Sequence, residues 1–201
     1  MNTLWAEQQP KLLLLEGSIN GTEFCIRYPQ LDSGRPAFDR FWQQQAFLLR
    51  LRCSQEQERW PVSLSVEWQE TRRDAQAISG FLEIQKRIGR ADWRLDRISA
   101  TFFAGQYRPM PLTELLLPAG NRRLPSLVAQ KIKTLSKEGE TPFFRGAAEK
   151  AAQICFPGRY YLSGEGMAVW FPQNVLAPAI AGLPTVFFPF SEIQSLLRFS
   201  L

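Results

Sequence analysis

Glu165, in the run Ser163-Gly164-Glu165-Gly166, is the best single candidate for a working polar side chain in this 201-residue sequence. A carboxylate can serve glycoside hydrolysis only with a second one positioned across the scissile bond. No partner for Glu165 stands at helical or strand spacing. Asp92 and Asp96 do not pair with each other, because strand residues four apart share a face at about 13 Å. Two readings stay open for Glu165: contact with a partner or orientation of its loop, or a turn residue held by a local backbone bond. The chain has no histidine. That excludes Ser-His-Asp and Cys-His machinery, an imidazole base and His-ligated zinc. Cys25, Cys53 and Cys155 are odd in number and lack C-x-x-C spacing. Reduced, packed thiols are the expectation, with one bridge left open. No phosphate loop or dinucleotide fingerprint is present. The expectation is no cofactor, no metal and no enzymatic activity.

Binding residues are easier to name. Tyr160, Tyr161, Trp170 and Phe171 can form a stacking or protein-binding platform, or pack a hairpin core. The segment from Asn174 to Gly182, with Pro172, Pro178 and Pro184, is a stiff loop, and stiff loops on a scaffold are common binding elements. Tyr161, Glu165, Trp170, Asn174 and Pro178 are therefore the candidate binding residues. The net charge of +5 is unevenly spread: −2 over residues 1–70, +7 over 71–150 and zero over 151–201. Arg72, Arg73, Arg87, Arg90 and Arg94 make a candidate basic patch for an anion, an acidic protein face or nucleic acid. The alternative is a solvated strand surface broken by Glu83, Asp92 and Asp96. Interleaved aromatics are sparse, which disfavours nucleic acid.

These residues need elements to hold them. Lys11–Glu16 and Gly21–Tyr28 read as strands. Phe38, Phe41, Trp42, Gln45, Leu48, Leu49 and Arg52 fall on one helix face. Val62, Leu64, Val66 and Trp68 alternate with polar residues as a half-buried strand does. Gly80–Ile88 and Trp93–Phe103 follow after short polar turns, which predicts an antiparallel meander. Beyond Gly105 the pattern predicts a short helix at Leu112–Leu117. A second helix opens at Pro125 and ends at Gly139, and a third is capped by Thr141-Pro142. A hairpin runs Arg159–Leu162 and Met167–Phe171, with the glycines of its turn expected to take positive φ. A last strand covers Thr185–Phe188, and Ser191–Gln194 opens a terminal helix as a capping box.

The stretch RYYLSGEGMAVWFPQNVLAPAIAGLPTVFFPFSEI, residues 159–193, resembles the C-terminal domain of the RsiV-like family. That family includes lysozyme-sensing anti-sigma factor ectodomains and an accessory module of peptidoglycan deacetylases. Tyr161, Leu162, Glu165, Gly166, Phe171, Ala177, Pro178, Ala181, Gly182, Pro184, Pro189 and Ser191 match its pattern. Pro111–Leu116 is similar to the helix that opens the family's domain, and Phe24–Leu31 to its N-terminal partner region. The family's central-strand stretch ending in Gly-Gly-Ala-His is missing, and only Ser79-Gly80 stands there. Asn174-Val175-Leu176 replaces a Tyr-Glu-Ile run, and Ala179 a tyrosine.

The combined expectation is an α+β protein: a helix packed on an antiparallel meander, with a C-terminal helical and hairpin segment completing the sheet. Residues 1–104 and 105–201 form its two parts, the second being the RsiV-like domain. The resemblance implies a non-catalytic binding or sensing role toward an unidentified protein, cell-wall-related proteins among the candidates. The rivals are a histidine-free glycan-acting enzyme and an anion or nucleic-acid binder. Met1–Pro10 lacks leader features and no apolar run reaches the roughly 20 residues of a membrane span. The expected location is the cytoplasm, or the cell envelope for a chain with a trimmed leader.

Overall fold

The computed structural model describes residues 9–31, 36–55, 60–139, 141–155 and 157–201. Five strands form the first sheet: β1 (Lys11–Ile19), β2 (Thr22–Gln30), β3 (Val62–Arg73), β4 (Ala77–Ile88) and β5 (Arg94–Phe103), paired in that order. Helix α1 (Pro36–Gln55) connects β2 to β3, which pair in parallel; the other neighbours are antiparallel. A parallel pair needs such a crossover. The meander of β3, β4 and β5 is as the alternation predicts.

Alternation along the strands sends Phe24, Ile26, Leu64, Val66, Trp68, Leu82 and Phe102 to the α1 face. The helix answers with Phe38, Trp42, Ala46, Leu49 and Cys53. Phe38, Phe41, Trp42, Trp68 and Phe102 form an edge-to-face aromatic cluster, with Trp42 and Trp68 centroids 4.8 Å apart. Such pairs each add roughly 1 kcal/mol beyond their burial. The buried stripe differs from the expected one: Ala46 and Cys53 face the sheet, while Leu48 is exposed. The smaller side chains let the helix lie closer to the strands.

The second half packs on the other face of β3, β4 and β5 around a second core. It comprises α2 (Leu112–Leu115), α3 (Pro118–Glu138), α4 (Ala147–Gln153), β6 (Tyr160–Leu162), β7 (Gly166–Trp170), β8 (Thr185–Pro189) and α5 (Phe190–Ile193). Strands β6, β7 and β8 make a three-stranded antiparallel sheet of their own. Helix α3 opens at Pro118 and carries Pro125 inside it, nearly two turns earlier than expected. Pro118 sits in the first turn, where its missing N–H is no loss. The helix closes at Gly139 in the left-handed conformation, as expected. Helix α4 starts after Gly146 rather than Thr141, and α5 starts after Pro189, so the Ser191 capping box is not used. Among the described residues no helix is long and apolar enough to cross a membrane.

Candidate functional site

Strand β6 is fastened to the first sheet by side chains that take both of its Leu162 backbone groups. Leu162 N–H donates to Ser79 Oγ at 2.9 Å, and Thr71 Oγ1 donates to the Leu162 carbonyl at 2.6 Å. Thr71 is the extra residue of a bulge between Glu70 and Arg72, and bulges re-aim side chains. Ser79 Oγ also meets Thr101 Oγ1 at 2.7 Å. Gly80 follows because nothing larger fits: a Cβ there would lie 2.3 Å from the Trp68 ring and 2.4 Å from the Gln69 carbonyl oxygen. Ser79 is thus the joint between the two sheets, while Gly80, one residue on, faces Trp68 on the α1 side.

Tyr161 and Trp170 belong to the same joint. Tyr161 packs on Phe81 at 5.0 Å, and the Arg97 guanidinium lies 3.7 Å from the Phe81 centroid. Trp170 is 3% exposed and donates its Nε1–H to Ser99 Oγ at 2.9 Å. The expected aromatic platform is therefore corrected for Trp170: it is a buried packing residue, because β7 is the central strand between β6 and β8 and its indole N–H is taken by Ser99 of β5. Tyr160 is buried as well, and its hydroxyl donates to the Met110 carbonyl at 2.6 Å. Burial raises its phenol above the usual range, and raises the Cys155 thiol to about 11. All three cysteines are free thiols.

Glu165 is exposed, and its backbone is what the fold uses. Its N–H donates to Ser163 Oγ at 3.3 Å and its carbonyl accepts Phe190 N–H at 3.0 Å. Gly166 does not take positive φ. It is small because a Cβ would sit 2.2 Å from the Phe188 carbonyl oxygen.

The basic residues do not form one patch. Arg72 and Arg73 stand at the β3–β4 turn and are engaged there. Arg72, 8% exposed at its side chain, pairs with Asp74 at 2.5 Å and lies over the Phe190 ring. Arg73 pairs with Glu70 at 3.0 Å. Burial works to raise the Asp74 carboxyl, but the Ala77 N–H, the Arg72 guanidinium and the Gln76 N–H outweigh it and hold it below its usual range. Arg87, Arg90 and Arg94 lie at the opposite end of the sheet. The register places Ser79 beside Arg72, and eight residues of β4 separate it from Arg87, about 27 Å at strand rise.

That far end gathers the other predicted residues. Gln173 pins the 174–182 loop to the start of β5: its Oε1 accepts Leu95 N–H at 2.8 Å, and its Nε2 donates to the carbonyls of Ala179 at 2.9 Å and Trp93 at 3.4 Å. Asn174, exposed with φ 60°, turns the chain into the loop. The Pro178 carbonyl accepts Ala181 N–H and closes a single 3-10 turn. On that turn Ile180 is 93% exposed. Trp93, 41% exposed, has the Arg87 guanidinium 5.8 Å from its ring centroid, and Trp60 across the end of the sheet is 62% exposed. Among the described residues Arg52, Arg90 and Arg94 have no ion-pair partner. Lys86 and Arg94 stand directly opposite each other in the ladder.

A cavity of about 210 Å³ opens beneath the last turn of α1, floored by Leu49, Cys53, Leu64 and Ile84 and rimmed by Arg52, Lys86, Arg94 and Asp96. Arg94 also walls a wider groove of about 950 Å³ bounded by Trp60, Pro61, Gly89 and Arg90. Gln173, Trp60 and Ile180 were not singled out from the sequence. Only Ile180 carried a signal, an apolar residue in a proline-bounded loop.

No family profile matches the sequence. No curated protein matches it either. Among solved structures, a DUF3298 family protein from Pseudomonas aeruginosa PAO1 superposes with a TM-score of 0.72 at 14% identity, covering 97% of this chain and 96% of that one. A member of the same family from Bacteroides fragilis superposes at 0.69 with 10% identity, covering 98% and 96%. The fold is shared from end to end with both proteins.

Proposed function

We propose that this chain is a non-catalytic protein-binding module, and that its docking surface is the end where the 174–182 loop meets the β4–β5 turn. The observation that carries this is the Gln173 clamp. It holds an exposed apolar knob, Ile180, on a loop tied to the Trp93 carbonyl, at the end of the sheet where Arg90 and Arg94 have, among the described residues, no ion-pair partner. Rigid presentation lowers the entropy lost on binding, and tryptophan and arginine dominate the energetic centres of protein interfaces. The likeness to DUF3298 proteins at low identity and the resemblance to RsiV-like domains support a binding role, with a cell-envelope protein as the partner. Glu165 lies by the other end and acts in its turn.

Photo-crosslinking tests this. Benzoylphenylalanine at Ile180 and at Trp93, in the full chain in its native host, should capture the same protein, and added unlabelled protein should compete. The same probe at Tyr107, exposed on the loop after β5, should not capture it. Capture from Tyr107 alone, or different proteins from Ile180 and Trp93, would overturn the reading.

A further inference from the structure

Resting on that docking surface, we infer that the partner presents an acidic peptide segment with one aromatic side chain, and that the ring enters the cavity beneath the end of α1. The cavity sets the size of the guest. An apolar cavity of about 150 Å³ is known to hold benzene, so about 210 Å³ accepts a phenyl or indole ring. The floor is apolar: Leu49, Leu64 and Ile84 line it, and the Cys53 thiol already donates to the Leu49 carbonyl at 3.3 Å. It offers dispersion and desolvation rather than hydrogen bonds.

The rim sets the charge of the guest. Among the described residues, Arg52 and Arg94 border the opening together with one acid, Asp96. Arg90 extends the positive surface along the adjoining groove, where Trp60 supplies an exposed ring. Carboxylates flanking the aromatic residue would lie on Arg52, Arg90 and Arg94, and arginine can bind a carboxylate through two parallel bonds. A single-stranded nucleic acid needs successive open stacking faces, whereas the Trp93 ring is already occupied by Arg87. A peptide with one buried anchor and a charged surround fits better.

The test uses the full chain and fluorescein-labelled peptides of sequence Glu-Glu-Phe-Glu-Glu and Glu-Glu-Ala-Glu-Glu, read by anisotropy. The phenylalanine peptide should bind about tenfold tighter or more, as burial of one aromatic ring requires. Arg90→Glu with Arg94→Glu, both exposed, should weaken it by about tenfold or more while leaving the circular dichroism unchanged. Benzoylphenylalanine in place of the peptide phenylalanine should crosslink to residues 49–53 or 84–86. Equal binding of the two peptides, crosslinks elsewhere, or equally tight binding of an oligothymidylate of the same charge would overturn the inference. Ile180 crosslinking that persists while neither peptide binds would keep the docking surface and discard this partner chemistry.

Discussion

Gln173 accepts the backbone N–H of Leu95 at 2.8 Å, across 78 residues of sequence, and donates to Ala179 with the other end of the same amide. One side chain thereby ties the start of an edge strand to a loop from the other half of the chain. Gln173→Ala should leave Leu95 N–H without its partner and cost about 1–2 kcal/mol. Hydrogen exchange should quicken at Leu95 and across 178–182 while the α1 core stays protected. Gln173→Glu keeps the acceptor and loses the donor. It should restore protection at Leu95 but not in the loop. Equal protection in all three proteins would remove Gln173 from its role.

Ser79 stands between two buried groups, Leu162 N–H and Thr101 Oγ1. Ser79→Ala removes little volume but strands the Leu162 donor, at a cost of about 1–3 kcal/mol. Urea unfolding should show a lower midpoint. Ser79→Thr should recover part of it, since the hydroxyl returns with one extra methyl to house.

How much of this was legible follows from what sequence patterns encode. Val62 to Trp68 alternates with period two, and a half-buried strand results. The α1 helix and the hairpin at 159–171 were equally readable, because burial on one face imprints a period. The parallel pairing of β2 with β3 was not, since register between strands 40 residues apart leaves no local mark. Arg72 and Arg87 looked like members of one basic set; strand length separates them, and only the bulge and turn geometry give Arg72 its acid. Gln173 was silent because an amide's value here comes from three backbone groups that converge only after both sheets dock. Glu165 had the right local chemistry for a turn, and its turn is real, but the exposed face gathered elsewhere.

Asp74 gives a pH dependence of known sign. Its folded-state carboxyl titrates below the ordinary aspartate value of about 3.9. The stability it contributes is present above that value and is lost as pH falls through the folded-state value. Asp74→Asn should therefore cost about 1–2 kcal/mol at pH 7, an amount limited by the partial exposure of the site. The gap between variant and wild type should close as pH drops below about 4. A gap that is constant from pH 7 to pH 3 would mean the charge is irrelevant.

Cys155 should be a slow thiol. Burial raises it to about 11, and the thiolate is the reacting species. With a disulfide reagent at pH 8, Cys25 should react ahead of the less ionised Cys155, and the buried Cys53 only as the chain opens, so mild urea should speed Cys53. Single cysteine-to-serine variants assign the phases. Prompt reaction of Cys53 in the absence of urea would contradict the packing around α1.

Gly80→Ala is the sharpest steric test of the packing between β4 and Trp68, because two different obstacles stand where its methyl would go. One is the edge of the Trp68 ring, at 2.3 Å, and the other is the backbone carbonyl of Gln69, at 2.4 Å. A ring can shift; a carbonyl in a paired strand shifts only with its ladder. The single variant should lose about 2–4 kcal/mol, the range for overpacking with backbone displacement. Trp68→Leu relieves only the first obstacle and opens a cavity of its own among Phe38, Trp42 and Phe102. The double variant should therefore remain less stable than Trp68→Leu alone, with a double-mutant cycle recovering only part of the Gly80→Ala cost. Full recovery would place the whole constraint in the ring and free the β3 backbone, and the residue at 80 would then be glycine for the sake of Trp68 alone.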